Sequence, residues 1–197
     1  MSKVLFLCAA AALVSACGKK TPPASEAMQG DGAKLYRAPA FSFAEAHGGQ
    51  VTDKTLHGKV WLATFIFTRC QTSCLTICSE LAELQDEFAA QPDFRMVSTT
   101  VDPDFDSPEV LRRFAKKYGA REKRWLFLTG KKEAIRAFAY DGLHVSWDPA
   151  APLLHSTRIL LVDRDGWVRG TFAAGDPGRM VRLREVLRSV LAEKRTP

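Results

Sequence analysis

The sequence predicts an α/β domain in which one mixed sheet carries helices on both faces. Apolar segments of strand length alternate with amphipathic segments of helical period through residues 59–140. Two further strands follow as a hairpin over 156–172, and an amphipathic helix over 176–194 comes last. Alternating elements that end in a hairpin and a helix are typical of a mixed sheet covered on both sides. The chain has 197 residues, of which 46% are hydrophobic, and this is enough for one such domain and a tail.

The first half of the domain has the clearest elements. KVWLATFIF (59–67) is apolar, aromatic and β-branched, which predicts a central strand covered on both faces. A helix follows over 75–89, where apolar residues recur at helical spacing, and FRMVSTTV (94–101) is a second strand. Ser107 as N-cap, Pro108 at the first helical position and Gly119 at the end predict a helix over 107–119.

The second half continues the pattern with shorter elements. WLFLTG (125–130) is a short apolar strand and KKEAIRAFAY (131–140) a short helix. The hairpin over 156–172 is expected to turn at Asp-Gly. One stripe of the final helix carries its apolar residues, namely Met180, Leu183, Leu187 and Val190. A thioredoxin-like fold has this order of elements.

The first 40 residues are predicted to lie outside the domain, which spans 41–197. MSKVLFLCAAAALVSAC has an early cation, a continuous apolar run and small residues before Cys17, which is typical of a signal peptide over 1–16. Its ending V-S-A-C resembles the lipobox of bacterial lipoproteins, and an ordinary signal cleaved near Ala16 is the alternative. Residues 17–40 are then a lipidated N-terminus and a flexible tether. The protein is expected to be lipid-anchored in the bacterial cell envelope and to face the periplasm.

The net charge and the positions of the cysteines narrow the range of functions that the chain can have. The net charge of +6 favours contact with acidic surfaces, including membranes, and no nucleic-acid motif accompanies it. If Cys8 leaves with the signal peptide and Cys17 carries lipid, the remaining cysteines are Cys70, Cys74 and Cys78. A tight cluster without distant partners, in a compartment that permits disulfides, indicates redox or metal chemistry.

Cys70 and Cys74 follow the first core strand at the start of a helix. Unpaired N–H groups and the helix dipole should lower the pKa of at least one of the two thiols, and Arg69 should add to this effect. Four-residue spacing on a helix brings the Cα atoms to about 6 Å, which a disulfide tolerates. The pair is therefore expected to cycle between dithiol and disulfide, or to hold a soft or borderline metal as a dithiolate.

Two thiolates leave a metal site incomplete, and the four histidines are candidates for a third ligand. His47 and His57 lie in a Gly-containing segment typical of turns, and His144 has the apolar neighbours of a packed side chain. His155 ends the loop SWDPAAPLLHS and opens a core strand, so it can reach a neighbouring strand-to-helix junction. From the residues alone His155 remains one alternative beside a histidine without a ligand role.

Two further features stay open. Cys78 follows Cys74 by one helical turn beside the apolar stripe, which favours packing as a small hydrophobe. The alternative is an accessory thiol, either as a metal ligand or as the resolving partner of Cys74. The stretch VDPDFDSP, with Asp102, Asp104 and Asp106, could form a hard-metal loop, but its prolines and Ser107 favour a turn that enters a helix.

Four segments of the chain form a specific combination in order: FIFTRCQTSC, VDPDFDSPEVLRRFAKKYG, RWLFLTG and LLHSTRILLVDRDGWVRG. With these segments the chain resembles the SCO/SenC family of copper-binding assembly factors for cytochrome c oxidase. Together with VTDKTLHGKVW they cover nearly all of residues 41–194. The resemblance implies a thioredoxin-like fold with an additional hairpin, and a copper site formed by Cys70, Cys74 and His155. It also implies that Asp102 or Asp106 orients the histidine without binding the metal itself.

One departure from the family is visible. The family commonly has C-P-x-x-C-P, and this chain has Gln71 and Leu75 in place of the two prolines. The change removes no ligand, but a backbone N–H is restored near the sulfurs, which can shift the thiol pKa or the metal affinity.

The expected function is therefore that of a copper chaperone, which accepts Cu(I) or Cu(II) and serves the dinuclear copper centre of a cytochrome c oxidase subunit. Thiol reductases or other copper chaperones are further expected partners. The alternative is a thiol-disulfide oxidoreductase that keeps client cysteines reduced, which needs Cys70 and Cys74 but not His155. A third hypothesis is a redox or copper sensor that acts through a partner. Zinc could also occupy a site with these ligands.

Overall fold

The computed structural model describes residues 30–145 and 157–194. Eight strands form one mixed sheet in the order β1-β8-β7-β4-β5-β6-β2-β3. The strands are β1 Tyr36–Arg37, β2 Ser42–Glu45, β3 Gln50–Thr52, β4 Val60–Ile66, β5 Phe94–Thr100, β6 Trp125–Thr129, β7 Arg158–Val162 and β8 Trp167–Ala173. The helices are α1 Asp53–Leu56, α2 Ser73–Glu87, α3 Pro108–Lys117, α4 Lys132–Arg136 and α5 Pro177–Ala192, and a π-helix, Ala137–Gly142, follows α4 directly.

The three central strands β4, β5 and β6 are parallel and begin and end at similar levels. β4 and β5 pair in register from Val60 opposite Phe94 to Ile66 opposite Thr100. The segments that leave β4, β5 and β6 therefore emerge at one edge of the sheet, here called the carboxyl edge. The edge at which these strands begin is called the amino edge. β7 runs antiparallel to β4, so β7 begins at the carboxyl edge.

Each face of the sheet has its own core. On one face α2, α3 and α5 pack over inward residues of the central strands, with Ile77, Leu111 and Leu183 fully buried. On the other face an aromatic cluster packs against the π-helix, with Phe41 and Phe43 close to Phe138. Burying both faces of β4 explains why its seven residues are all buried and why the strand has no polar alternation.

The predicted fold class is confirmed, and most predicted elements are present within a few residues. Ser107 caps α3 by accepting a hydrogen bond from the Val110 N–H at 3.3 Å, as predicted. The final helix buries the whole predicted stripe, namely Met180, Leu183, Leu187 and Val190. The predicted hairpin is formed by β7 and β8, and Gly166 in its turn has a φ of +83°.

Other parts of the structure differ from the sequence prediction. The helix predicted over 131–140 ends at Arg136 and continues as the π-helix. Strands β1, β2 and β3 and helix α1 were not predicted, because they are only 2–4 residues long. β1 lies inside the segment predicted as a tether and pairs with β8, so this part of the segment belongs to the sheet. Among the described residues no helix has the length and apolar character needed to cross a membrane.

Candidate metal and redox site

The cysteine cluster lies at the carboxyl edge, where β4 passes into α2. A short loop after Ile66 carries Cys70, and α2 begins at Ser73. Cys70 is 8% exposed, whereas Cys74 and Cys78 are completely buried and lie in the core beneath α2. None of the three forms a disulfide in the structure. The three residues thus descend along one side of α2 from the surface into the core.

Cys70 is the acidic thiol of the cluster. Burial acts to raise its pKa, but the backbone N–H groups of Cys74 and Thr72 and the hydroxyls of Ser73 and Thr72 outweigh burial and lower the pKa to about 6. The Cys70 Sγ lies 3.6 Å from the Ser73 Oγ and 3.7 Å from the Thr72 Oγ1. The predicted reactive thiolate is therefore Cys70, and its charge is stabilised by the first turn of α2.

The thiols of Cys74 and Cys78 are much less acidic than that of Cys70. Burial raises the pKa of Cys74 far above its ordinary value, and the negative charge of Cys70 raises it further, while the Phe67 backbone N–H partly opposes both. Burial likewise raises the pKa of Cys78 to about 12, against a smaller opposing effect of Lys117. At neutral pH the site thus holds one thiolate and two protonated thiols. The burial of Cys78 agrees with packing as a small hydrophobe.

The segment after β5 fixes the loop that carries Cys70. Asp106 is completely buried, and one of its oxygens accepts a hydrogen bond from the Thr68 backbone N–H at 3.1 Å. The hydroxyls of Thr68 and Thr100 also donate to this carboxylate. Asp106 therefore ties the exit of β4 to the exit of β5, two residues before Cys70.

A second connection involves Arg69, the residue next to Cys70. Its guanidinium donates to the Asp102 carboxylate through Nη2 at 2.5 Å and Nε at 3.2 Å, and it lies 4.3 Å from the Phe105 ring centroid. Arg69 was predicted to lower the thiol pKa, but the groups that do so are the N–H and hydroxyl donors around the sulfur. Arg69 instead clamps the cysteine loop to the acidic loop. This contact joins residues 33 positions apart, and no local pattern indicates it.

Asp102 and Asp106 were expected to orient the histidine. In the described residues their contacts go to the cysteine side of the site, namely to Arg69, Thr68 and Thr100. The expected turn and helix entry is confirmed for this loop, since Ser107 caps α3. His155, the histidine that they were expected to orient, lies outside the described residues, so this role stays a prediction.

Asp106→Ala should destabilise the fold by about 2–4 kcal/mol, because it leaves the half-buried N–H and hydroxyl of Thr68 and the buried hydroxyl of Thr100 without their acceptor. The measurement is denaturant unfolding of the reduced protein. Asp104→Ala in the same loop is the matched control, since Asp104 is exposed and makes one 3.3 Å ion pair with Lys132. That control should change stability by less than about 0.5 kcal/mol. Equal effects of the two substitutions would contradict this account of Asp106.

The predicted third ligand, His155, lies outside the described residues. The chain is described again from residue 157, and β7 begins at Arg158, at the carboxyl edge beside β4. Of the other histidines, His47 lies 3.5 Å from Glu45 and 3.7 Å from Glu122, away from the cysteines. His144 packs against Tyr36, with 4.8 Å between ring centroids. Within residues 30–145 and 157–194, no group of three His, Cys, Asp or Glu is arranged to hold a metal.

A sheet with an ionised cysteine at a strand-to-helix junction, a buried second cysteine four residues later and an added hairpin defines a thioredoxin-like thiol domain. The sequence profile of the SCO1/SenC family matches residues 30–191. The chain belongs to the SCO1/SenC family.

Solved structures of relatives agree with this assignment. A SCO1/SenC family lipoprotein from Bacillus anthracis is 33% identical, with a TM-score of 0.71 over 80% of this chain and 96% of that one. BsSco, a member of the Sco family of cytochrome c oxidase assembly proteins in which a disulfide switch was identified, is 31% identical, with a TM-score of 0.71 over 81% of this chain and 95% of its own. ScoI of Bradyrhizobium japonicum with copper bound shares the fold at 23% identity, with a TM-score of 0.60 over 78% and 99% of the two chains.

Proposed function

We propose that the protein is a copper chaperone that binds one copper ion through Cys70, Cys74 and His155 and delivers it during assembly of the dinuclear copper centre of a cytochrome c oxidase. The observation that supports this most directly is the thiolate of Cys70 beside the buried thiol of Cys74, in a chain of the SCO1/SenC family. Relatives in this family include a copper-bound structure and an oxidase assembly protein.

The donor set fits copper. Thiolates are soft ligands that favour Cu(I), and an imidazole added to two thiolates also lets a site accept Cu(II). Cys70 offers a sulfur that is already ionised at neutral pH, so copper has to displace a proton only from Cys74. The small exposed fraction of Cys70, 8%, gives the site one side that a partner can approach.

The location proposed for this activity is the cell envelope. The signal-like N-terminus and the lipobox-like V-S-A-C support a lipid anchor on Cys17, and the Bacillus anthracis relative is a lipoprotein. The anchored domain would face the periplasm, where the copper-binding subunit of an oxidase is accessible. Thiol reductases or other copper chaperones would keep the cysteine pair reduced and supply the metal.

His155→Ala tests the ligand set. Reduced protein titrated with Cu(I) under anaerobic conditions should bind about one equivalent, because two thiolates and one imidazole form one site. His155→Ala should lose tight Cu(II) binding and weaken Cu(I) binding by about tenfold or more. His144→Ala is the matched control, since His144 packs on Tyr36. Unchanged copper affinity and spectra in His155→Ala would remove His155 from the site.

The second candidate function is a thiol-disulfide reductase acting on client cysteines. The lowered pKa of Cys70 favours it, because a thiolate with a second thiol nearby is the requirement for disulfide exchange. Reduction of a client disulfide should then persist in His155→Ala and disappear in Cys70→Ser. Cells that carry either variant can also be tested for assembly of the oxidase. If both fail to assemble it while His155→Ala keeps full reductase activity, copper delivery is the function that assembly requires.

A further inference from the structure

The amino edge of the sheet carries a dense cationic turn, defined here as residues 116–124 (KKYGAREKR). It contains five Lys or Arg and one Glu, and it comprises the last two residues of α3 and the connection to the start of β6. β4, β5 and β6 are parallel, so this turn and the cysteine loop lie at opposite ends of the sheet, separated by about 20 Å along the strands.

The turn is built rigidly rather than being a loose loop. The buried Gln85 side chain donates to the Gly119 carbonyl at 3.0 Å and accepts from the Arg121 N–H at 2.8 Å. Arg124 donates to the Ala89 and Gln91 carbonyls in the segment that follows α2, at 3.0 and 2.9 Å. The turn therefore displays its charges on a fixed surface.

Much of this charge is uncompensated. Arg121 pairs with Asp86 at 2.6 Å, but within the described part of the chain Lys116, Lys117 and Lys123 are exposed and form no ion pair. Burial, and then the like charges of Arg95 and Arg121, lower the pKa of Arg124, as expected where guanidinium groups crowd together.

The other edge has a different charge pattern. The acidic loop 101–107 beside the cysteines contains three Asp and no Lys or Arg. Arg69, Lys131 and Lys132 lie at the same edge, and Arg69 and Lys132 pair with Asp102 and Asp104, so the segments around the cysteines carry no net charge together. An anionic surface would therefore attract the cationic turn more strongly than the segments around the cysteines.

We propose that the cationic turn docks the anchored domain on the anionic phospholipid headgroups of its own membrane, so that the cysteine loop faces away from the bilayer. The length of chain supports a membrane rather than another partner. About 13 residues separate Cys17 from Gly30, and even when fully extended they reach at most about 45 Å. The anchor therefore holds the domain within about one domain diameter of the headgroups at all times. This proposal rests on the lipid anchor proposed above and not on copper binding.

Lysine footprinting tests the proposal. The lipid-anchored protein is reconstituted into vesicles of phosphatidylcholine alone and of phosphatidylcholine mixed with phosphatidylglycerol, labelled with an amine-reactive ester and analysed by mass spectrometry. Labelling of Lys116, Lys117 and Lys123 should fall by about threefold or more in the anionic vesicles. It should recover in about 1 M NaCl, where the Debye length is only about 3 Å. Lys131 and Lys132, which follow β6 at the carboxyl edge, should label equally in both lipids.

Variants give a second readout. In Lys117→Glu/Lys123→Glu the protection of Lys116 should disappear, whereas Lys131→Glu/Lys132→Glu, with the same change in charge, should keep it. Equal labelling of the three lysines in both lipids overturns the proposal, and this is also the outcome if the turn binds an acidic protein instead. Loss of copper binding in a cysteine variant would leave the footprint unchanged, so the two proposals fail independently.

Discussion

Cys70→Ser should lower the affinity for Cu(I) by about 10²–10³-fold, the largest loss expected from any single substitution in the described residues. The substitution removes the one thiolate that is present at neutral pH, and serine is a hard, neutral donor that copper does not prefer. Structural zinc sites with four protein ligands bind with about 10–16 kcal/mol, so one ligand corresponds to about 2.5–4 kcal/mol. Anaerobic competition with a chromogenic Cu(I) chelator measures the difference.

Two other cysteine variants complete this test. Cys74→Ser should cause a loss of similar size, because the second sulfur is then missing. Cys78→Ala is the matched control, since it removes a thiol from the same side of the same helix. It should keep copper affinity within about threefold and cost about 1 kcal/mol of stability through the small cavity that it leaves. Loss of copper binding in Cys78→Ala would make Cys78 a ligand and contradict the assignment.

In the reduced, metal-free protein at pH 7, Cys70 should be alkylated by iodoacetamide at least about 100 times faster than Cys74 or Cys78. With a pKa of about 6 for Cys70 and about 12 for Cys78, the thiolate fractions at this pH differ by about 10⁵. A more acidic thiolate is also a weaker nucleophile, and this difference reduces the ratio of the rates by a factor of about 10³. Burial of Cys74 and Cys78 adds to the selectivity, because neither side chain is exposed.

The pH dependence of alkylation shows in which direction the fold shifts the pKa of Cys70. The pKa of Cys70 is lowered in the folded protein, so its alkylation rate should rise through about pH 6 and level off above about pH 7. In denaturant the same thiol should return to ordinary behaviour, with a rate that rises through about pH 8.5. Mass spectrometry of tryptic peptides, with Cys70→Ser as the control for site assignment, follows both profiles. A midpoint near 8.5 in the folded protein would show that the hydrogen bonds around this sulfur do not stabilise the thiolate.

The long elements of the fold could be predicted because each has a local signal. The buried strand KVWLATFIF, the capped helix after Ser107 and the stripe of the last helix all follow from spacing and caps within about 15 residues. Strands β1 to β3 could not be predicted in this way. They have 2–4 residues each, and they become strands only because β8 and β6 offer free edges to β1 and β2, and β2 then offers one to β3.

The site, too, could be predicted only as far as local spacing along the chain allows. The spacing of Cys70 and Cys74 at a strand-to-helix junction indicated a reactive pair, but it could not say which thiol ionises. That choice depends on the exposure of each sulfur and on donors such as Ser73, which only the fold determines. The pairing of Arg69 with Asp102 was missed for the same reason, since it joins two loops through the parallel register of β4 and β5.

The descent of three cysteines into the core has a consequence for how the thiols would pair on oxidation. Three neighbouring thiols allow three disulfide pairings, and two of these would include Cys78 and disrupt the proposed pair of Cys70 and Cys74. Cys78 is completely buried, and with a pKa of about 12 only about 10⁻⁵ of it is thiolate at neutral pH. Cys74 is equally buried, but its sulfur forms a hydrogen bond with that of Cys70, whereas Cys78 interacts with Cys70 only through the charge of the thiolate. An oxidised Cys70 would therefore have Cys74 as its nearest partner, and the packing of α2 would slow mispairing with Cys78.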